Sequence, residues 1–275
     1  MESFLARLQR IQSSKQSNLS VGLDPDPAKM PPGLLSTASV ADAVLQFTES
    51  IIHATSSFAS AFKFNIAFFE ALGADGFRVL RDALSAVPEN VLTIADAKRG
   101  DIGNTARFYA KAFFEDLEFD GITISPYMGG DSVRPFLEYG DKGVFLLIRT
   151  SNPGGNEFQT LMVGEDPLYQ VVAGRAVEWA ADLPGTIGFV VGATDLDAMG
   201  KLRVAHPDVP FLIPGIGAQG GNAASVMDVA GSGPVLINSS RQILYASSGD
   251  DFAQQAEIES EKLCLELRQS SSKLH

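Results

Sequence analysis

One short apolar segment of the sequence ends in charged residues whose spacing suits electrostatic and acid–base chemistry. Ile94, Asp96 and Lys98 are two residues apart, so in a β-strand they face the same side, and an acid and a base emerge together where the strand ends. Asp101 follows in the turn, where its side chain can point elsewhere. A salt bridge followed by an acidic residue at a helix start would give the same pattern, so the motif alone leaves both interpretations open.

Two further charged residues occupy equivalent places on neighbouring segments. Lys63 lies between Phe62 and Phe64, and if the two rings pack against helices, the lysine points to the opposite side. Asp24 ends the apolar segment that precedes it. Two lysines and up to three aspartates would then share one rim. A structural network of paired charges is the alternative, but buried ion pairs add little stability and more often indicate function.

The segments that must position these residues alternate along the whole chain. Short β-rich apolar segments recur eight times, at 18–24, 60–65, 91–98, 121–125, 143–149, 186–192, 210–215 and 234–239. Stretches with helical spacing lie between and after them, at 40–57, 68–86, 104–117, 132–139, 166–181, 196–206, 221–230 and 251–268. Because parallel strands need long crossovers, this alternation predicts an α/β fold of the (β/α)8 TIM-barrel type. A doubly wound open sheet is the alternative, but the first strand lacks a glycine-rich dinucleotide fingerprint.

No low-complexity linker or break in composition divides the chain, so we predict a single domain over residues 1–275. Residues 1–17 are expected to contain a short amphipathic helix that packs on the barrel, with Phe4, Leu5, Leu8 and Ile11 on one face. Residues 269–275 are predicted to be a disordered tail.

Polar residues at the ends of barrel strands are candidates for the site, because the chemistry of such barrels lies there. The fifth predicted strand ends at Arg149-Thr150-Ser151 and the eighth at Ser239-Ser240-Arg241. The loops after the seventh and eighth strands commonly bind phosphate in this fold, so Arg241 and the glycine-rich residues 215–221 indicate an anion site.

Composition excludes several other classes of protein. Thirty-three acidic and 21 basic residues give a net charge of −12, which argues against nucleic-acid or anionic-membrane partners. Any anionic ligand must be held by a few local cations. The single Cys264 cannot form an internal disulfide, which favours a reducing, cytoplasmic location. The three histidines lie away from strand ends, so no metal site is predicted.

Several motifs, one after another along the predicted strands, carry a family resemblance. They are Ser20-Val21-Gly22-Leu23-Asp24-Pro25, Phe62-Lys63-Phe64-Asn65, Asp96-Ala97-Lys98-Arg99-Gly100-Asp101-Ile102-Gly103-Asn104-Thr105 and Pro214-Gly215-Ile216-Gly217-Ala218-Gln219-Gly220-Gly221. From about Val21 to Tyr245 the chain closely resembles the orotidine 5′-phosphate decarboxylase family. Two other motifs, Ser125-Pro126-Tyr127-Met128-Gly129 and Asn238-Ser239-Ser240-Arg241, are similar to its longer bacterial, type 2, subgroup.

The resemblance implies removal of CO₂ from C6 of orotidine 5′-phosphate to give UMP, the last step of de novo pyrimidine nucleotide synthesis, without metal or organic cofactor. By position in the motif, Lys98 would be the proton donor and Asp96 the acid beside the substrate carboxylate. Lys63 and Asp24 would hold the ribose hydroxyls and complete the charge network. Asp101 would reach across a homodimer interface, with a nearby threonine, to the ribose of the partner's site, and Thr105 matches that threonine.

The remaining matched positions concern the base and the phosphate. Ser151 would hydrogen-bond the pyrimidine ring, although a turn or capping serine is an equal alternative on local sequence. Gln219 would reach from its glycine-rich loop to the phosphate, where Arg241 supplies the cation.

Two other functions compete with this hypothesis. A magnesium-dependent sugar-phosphate decarboxylase or aldolase would share the Asp-x-Lys-x-x-Asp run, but the resemblance implies that such enzymes have an acid where this chain has Lys63, and a lysine repels Mg²⁺. A non-catalytic nucleotide-phosphate sensor could retain the pocket, but every charged position of the motif is intact.

Overall fold

Eight parallel strands close into a barrel in the computed structural model, which describes residues 2–216 and 221–271. Each strand lies beside its neighbours in the chain, and β1 pairs with β8 to close the ring. The strands are β1 Leu19–Leu23, β2 Ala61–Asn65, β3 Leu92–Arg99, β4 Gly121–Ile124, β5 Gly143–Arg149, β6 Thr186–Val191, β7 Phe211–Pro214 and β8 Val235–Ser239. The predicted TIM barrel is therefore confirmed, with all eight strands at the predicted segments.

Helices surround the barrel and connect its strands. They are α1 Phe4–Lys15, α2 Pro32–Thr37, α3 Val40–Thr55, α4 Ile66–Glu70, α5 Gly76–Ser85, α6 Gly103–Lys111, α7 Gly130–Leu137, α8 Leu168–Ala180, α9 Leu196–Ala205, α10 Ala223–Ala230, α11 Arg241–Leu244 and α12 Phe252–Ser271. A π-helical turn, Ala112–Asp116, extends α6. No helix among these residues is long and apolar enough to cross a membrane.

Two predicted boundaries are wrong. The helix predicted over 68–86 is divided into α4 and α5, because Gly73 adopts a left-handed φ of 65° and Gly76 packs against the Phe69 carbonyl, where a Cβ would lie 2.1 Å from the oxygen. The tail predicted to be disordered from residue 269 is helical as far as Ser271. Arg268 holds the end of α12, since its Nε donates to the carbonyl oxygen of Gln16 at 2.6 Å. Residues 272–275 lie outside the described part.

Side chains on each strand alternate between the helices and the barrel interior. On β2, Phe62 and Phe64 are fully buried in the large core between strands and helices. Ala61 faces the interior, where it packs in a separate core with residues such as Ile94, Phe145 and Leu212. Lys63 therefore shares the interior face, as the flanking phenylalanines predict.

Helix α1 closes the barrel at the end where the strands begin. Phe4, Leu8 and Ile11 are buried in the interior core, and the ring of Phe4 meets that of Phe145 edge to face at 5.6 Å between centroids. A Cβ on Gly143 would lie 2.9 Å from the Phe4 ring, so glycine there lets the helix approach. The predicted N-terminal helix is thus present, and it seals the barrel rather than covering its side.

Candidate active site

The charged side chains converge at the opposite end of the barrel, where the strands end. Six of the predicted residues line two adjoining cavities there, and each comes from a strand or from the residues just after one. The six are Asp24 after β1, Lys63 on β2, Asp96 and Lys98 on β3, Ser151 after β5 and Arg241 at the start of α11.

Asp96 is the centre of a charged row. Its Oδ2 accepts a hydrogen bond from Lys63 Nζ at 2.6 Å, and its Oδ1 accepts one from Lys98 Nζ at 2.6 Å. The Thr123 hydroxyl on β4 also donates to Oδ1, at 2.9 Å. Lys63 and Asp96 are 6% and 12% exposed, whereas the Lys98 side chain is 50% exposed. The row therefore runs from a buried ammonium through a shared carboxylate to an ammonium that reaches the cavity.

Electrostatics keep the buried pair ionised. Burial alone would raise the pKa of the Asp96 carboxyl, but the ammonium groups of Lys63 and Lys98 outweigh burial and hold that pKa well below its usual range. Burial would lower the pKa of Lys63, but Asp96 and the nearby carboxylate of Asp24 outweigh it and raise that pKa. Both groups are charged at neutral pH.

Strand β3 is irregular where it delivers Lys98. Lys98 has a left-handed φ of 48°, and the register with β4 shifts between Ala95 and Arg99. The Thr123 hydroxyl accepts a hydrogen bond from the Lys98 backbone nitrogen at 3.0 Å, which fixes the bulge. A non-glycine residue in this conformation costs about 1–2 kcal/mol. The strained backbone conformation thus occurs at the residue whose ammonium group contacts Asp96.

Asp24 retains unused hydrogen-bonding capacity. Its Oδ1 is buried and has no hydrogen-bond partner among the described residues. The adjacent backbone is fixed by Tyr245, whose hydroxyl donates to the Asp24 carbonyl at 2.6 Å and accepts from the Asp26 nitrogen at 2.7 Å. A buried carboxylate oxygen without a partner is suited to receive a hydroxyl of a ligand.

The two cavities differ in character. The polar cavity, of about 180 Å³, is lined mainly by Asp24, Asn65, Asn238, Ser240 and Arg241. The apolar cavity, of about 320 Å³, has Leu147, Val190 and Leu212 among its lining residues, with Lys98, Thr123 and residues 150–152. Lys63, Asp96 and Pro214 line both. The first cavity suits an anionic, hydroxylated group and the second a flat ring with polar edges.

Gly22 on β1 makes room for the polar cavity. A Cβ at this position would lie 1.9 Å from the Ser240 hydroxyl oxygen and 3.0 Å from Asn238 Nδ2. Asn238 donates to Ser240 at 3.2 Å, and its Oδ1 accepts from Ser20 at 3.2 Å. Any side chain at Gly22 would displace this pair from the rim.

Three predicted site residues are not among these cavity-lining groups. Asp101 is half-buried in the turn after β3, where its Oδ1 accepts from the Ile102 backbone nitrogen at 2.8 Å, and Thr105 is exposed on α6. Gln219 lies outside the described residues. The placement of Asp101 and Thr105 on an exposed face leaves their predicted role at a dimer interface as a prediction.

Sequence reasoning missed Thr123 and Tyr245. Threonine is common in strands, so Thr123 carries no signal of its own. Its inward position on the strand beside Asp96 becomes visible only once the pairing of β3 and β4 is known.

Among the described residues, no group of three or more acidic, histidine or cysteine side chains is arranged to hold a metal ion.

Comparison with known proteins agrees with this arrangement of strands and charges. A family profile described as orotidine 5′-phosphate decarboxylase / HUMPS family matches residues 17–256. An orotidine 5′-phosphate decarboxylase of Dehalococcoides mccartyi is 48% identical over 260 residues, which cover 92% of this chain and 93% of that protein. The chain belongs to the orotidine 5′-phosphate decarboxylase / HUMPS family.

Solved structures place the chain in the same family. A putative orotidine-monophosphate decarboxylase from Toxoplasma gondii has a TM-score of 0.86 and 35% identity, and the match covers 100% of this chain and 99% of that one. The UMP synthase of Leishmania donovani has a TM-score of 0.84 and 40% identity. That match covers 98% of this chain but 57% of the Leishmania chain, so the present chain spans little more than half of that larger protein.

Proposed function

We propose that this chain decarboxylates orotidine 5′-phosphate to UMP without a metal or organic cofactor. One observation carries the proposal: the Lys63–Asp96–Lys98 row lies where a polar cavity with a cationic end meets an apolar cavity. Membership of the decarboxylase family and the names of its relatives support this substrate.

The two cavities match the parts of the substrate. Arg241 is the cation of the polar cavity and would pair with the phosphate, since guanidinium binds phosphate through several donors at once. The pyrimidine would lie against Leu147, Val190 and Leu212 in the apolar cavity, with Ser151 at its edge. The ribose would then fall at the junction, where Asp24 and Lys63 can receive and donate hydrogen bonds to its hydroxyls.

The proposed chemical step uses Lys98. The bond between C6 and the carboxylate carbon breaks, CO₂ leaves, and the electron pair remains on C6. The Lys98 ammonium stabilises this negative charge and donates a proton to C6, and solvent then returns a proton to the amine. Asp96 orients this ammonium through the 2.6 Å contact.

Asp96 also acts on the substrate carboxylate. Like charges about 4 Å apart repel by about 4 kcal/mol at an effective dielectric near 20, so an ionised Asp96 beside this carboxylate favours loss of CO₂. Its lowered pKa ensures that it carries the charge. The buried ammonium of Lys63 opposes a Mg²⁺ ion at the same place, which argues against magnesium-dependent sugar-phosphate chemistry.

We further propose a homodimer in which each site is completed by the partner. Asp101 and Thr105 lie beside the exposed apolar side chains of Ile102 and Phe108, which are 57% and 65% exposed. Burial of these side chains against a second copy would bring Asp101 and Thr105 to the ribose of the neighbouring site. The single cysteine, which favours a reducing compartment, and the proposed role in pyrimidine synthesis support a cytoplasmic location.

Direct assay tests the activity. Protein treated with EDTA and mixed with orotidine 5′-phosphate is expected to deplete the orotate absorbance and to form UMP. Absence of turnover would refute the proposed function. Turnover that requires added Mg²⁺ would refute the cofactor-free mechanism while leaving the substrate assignment intact.

Subunit mixing tests the shared site. Asp101→Ala and Lys98→Ala proteins are each expected to be nearly inactive, and heterodimers should recover part of the activity because one of their two sites has both residues. Exchange of subunits is verified with two affinity tags. If tagged heterodimers form and stay inactive, Asp101 does not act across the interface.

A further inference from the structure

The loop after β5 carries a hydrogen-bond network outside the charged row. Arg149, at the end of β5, is 8% exposed and donates from Nε to Asp195 at 2.9 Å, from Nη1 to Gln159 at 3.1 Å and from Nη2 to Asn156 at 2.6 Å. Asp195 in turn caps α9 by accepting from the Ala198 nitrogen at 3.1 Å. The guanidinium group therefore ties the loop to the barrel wall.

Arg149 fixes the orientation of the Gln159 amide. A guanidinium group can only donate, and the Thr150 backbone nitrogen also donates to Gln159 Oε1, at 2.9 Å. Because both donors require an oxygen at this position, the Gln159 Nε2 group points the other way. It donates to the Thr150 hydroxyl at 2.8 Å.

The orientation of the Gln159 amide in turn determines the orientation of the Asn152 amide. The Thr150 hydroxyl accepts from Gln159, so its single hydrogen is available for Asn152 Oδ1, which it reaches at 2.6 Å. The Asn152 amide nitrogen consequently faces away from Thr150 and has no hydrogen-bond partner among residues 2–216 and 221–271. Asn152 stands at the N-terminus of the 3₁₀ turn Pro153–Glu157, but its side chain makes no capping bond there.

Thr150 and Asn152 both line the apolar cavity, beside Lys98 and Leu212. The backbone between them is closely packed, because a Cβ on Gly192 would lie 2.9 Å from the Ser151 nitrogen. Gly155 packs equally closely, since a Cβ at this position would lie 2.9 Å from the Thr150 hydroxyl oxygen. Two close contacts thus hold the relay of hydrogen bonds that runs from Arg149 through Gln159 and Thr150 to Asn152. Asn152, the last residue of this relay, lines the cavity.

We propose that Asn152 is a specificity-determining donor for a ring carbonyl oxygen of the bound pyrimidine, and that Gln159 and Arg149 are positioning residues that keep its amide nitrogen turned toward the ligand. The inference rests on the proposed function, since it concerns the base of the same nucleotide. A pyrimidine dione offers carbonyl oxygens at its edge, whereas a bare sugar phosphate offers the amide no such partner.

Gln159→Glu reverses the relay with almost no change of shape. A carboxylate at this position still accepts from Arg149 and from the Thr150 nitrogen, but it cannot donate to the Thr150 hydroxyl. The hydroxyl then donates to the carboxylate and accepts from Asn152, so the Asn152 NH₂ group turns inward. Asn156→Asp is the matched control, because it places the same new charge against Arg149 without a bond to Thr150.

The experiment measures binding of UMP and of ribose 5-phosphate, which lacks the base. Each ligand is titrated calorimetrically into the unmodified full chain and into each variant. Gln159→Glu and Asn152→Ala are expected to weaken UMP binding about fivefold to tenfold, the effect of one lost neutral hydrogen bond, and to change ribose 5-phosphate binding less than twofold. Asn156→Asp should change neither by more than twofold.

Three results would overturn the proposal: unchanged UMP affinity in Gln159→Glu and Asn152→Ala, equal weakening of both ligands, or the same loss in Asn156→Asp. If Gln159→Glu fails to fold, Asn152→Ala alone decides between these outcomes. Titration requires no turnover, so failure of the unmodified chain to bind UMP would refute the proposed function and this inference together. Normal UMP binding that is insensitive to Asn152→Ala would refute only the inference.

Discussion

The two ends of the barrel are built from the same strands and are chemically opposite. On β2 the inward positions change from Ala61 at the end sealed by α1 to Lys63 at the open end. On β3 they change from Leu92 and Ile94 to Asp96. A single step of two residues along each strand therefore separates an apolar core from an ionised cluster.

This contrast shows how stability and chemistry are divided within one interior. At the sealed end, burial of each large side chain such as Phe4 or Leu8 contributes about 1.5–3 kcal/mol. At the open end, desolvation of Asp96 and Lys63 opposes folding and is offset by their mutual attraction. The left-handed backbone at Lys98 adds strain at the same end. Substitutions at the two ends should therefore separate activity from stability.

The largest expected effect is at the open end. Lys98→Ala should lower kcat by about 10⁴-fold or more, because the proton donor and the charge facing C6 are both lost. Its midpoint of thermal unfolding should change little, since the side chain is half exposed. Lys201→Ala, which removes an exposed lysine on α9, is the control and should retain full activity. Residual turnover above about one per cent would contradict the role of Lys98 as the donor.

The converse holds for the sealed end. Phe4→Ala should lower the free energy of unfolding by about 3–5 kcal/mol while kcat and KM stay unchanged, because it removes a fully buried ring far from the rim. Denaturant unfolding and steady-state kinetics measure both quantities. Leu5→Ala, on the less buried face of the same helix, should cost less than Phe4→Ala. A large fall in kcat for Phe4→Ala at full folding would show that the two ends are coupled.

Removal of the charge at Asp96 should affect stability in a pH-dependent way. Asp96→Asn leaves Lys63 without its nearest partner and should cost about 3 kcal/mol near neutral pH. The folded-state pKa of Asp96 is lowered, so its contribution is present above the unfolded value of about 4 and is lost as the pH falls toward the folded value. The difference between the two proteins should therefore shrink below about pH 4. A difference that persists unchanged at lower pH would show that lost packing, not charge, is responsible.

At high pH the dependence has the opposite sign, because the stabilisation that Lys63 provides is lost as the pH rises and not as it falls. The pKa of Lys63 is raised by Asp96 and Asp24, so the stabilisation of its ammonium group is complete below the unfolded value of about 10.5 and is lost only as the pH rises through the folded value. Stability of the unmodified chain should therefore not decline through loss of this pair between about pH 5 and pH 9.

The smallest of these effects should be on substrate affinity. Arg241→Ala should raise KM about 10-fold to 100-fold with a smaller change in kcat, because a charge-assisted hydrogen bond contributes about 1.5–3 kcal/mol. Arg241→Lys should recover part of the loss, since it keeps the charge but not the paired donors. Unchanged KM in Arg241→Ala would place the phosphate elsewhere.

The sequence predicted the barrel because its signal is periodic and repeated eight times. It also predicted the row of Lys63, Asp96 and Lys98, because inward and outward positions on a strand follow from a period of two. The direction of Lys63 was predictable from the phenylalanines on either side of it, which are large enough to require burial.

What could not be predicted depends on contacts between distant segments. Arg149 ends a strand in the sequence, but its bond to Asp195 joins residues 46 positions apart, and its bond to Gln159 depends on the path of an irregular loop. The bulge at Lys98 has no sequence signal, because lysine does not favour a left-handed φ. The break between α4 and α5 depends on how closely Gly76 approaches Phe69, which helical spacing does not report.

The seal formed by α1 also bears on the order of events during folding. This helix precedes all eight strands in the chain, yet the interior residues that it covers extend from Ala61 to Leu236, so its binding surface is complete only after the last strand has joined the ring. Contacts over such sequence separations form late, because loop closure must precede them. We expect Phe4→Ala to accelerate unfolding and to leave the refolding rate nearly unchanged, which stopped-flow kinetics would show as a φ-value near zero. A helix that precedes every strand of the barrel in the chain would then be among the last elements to reach its place.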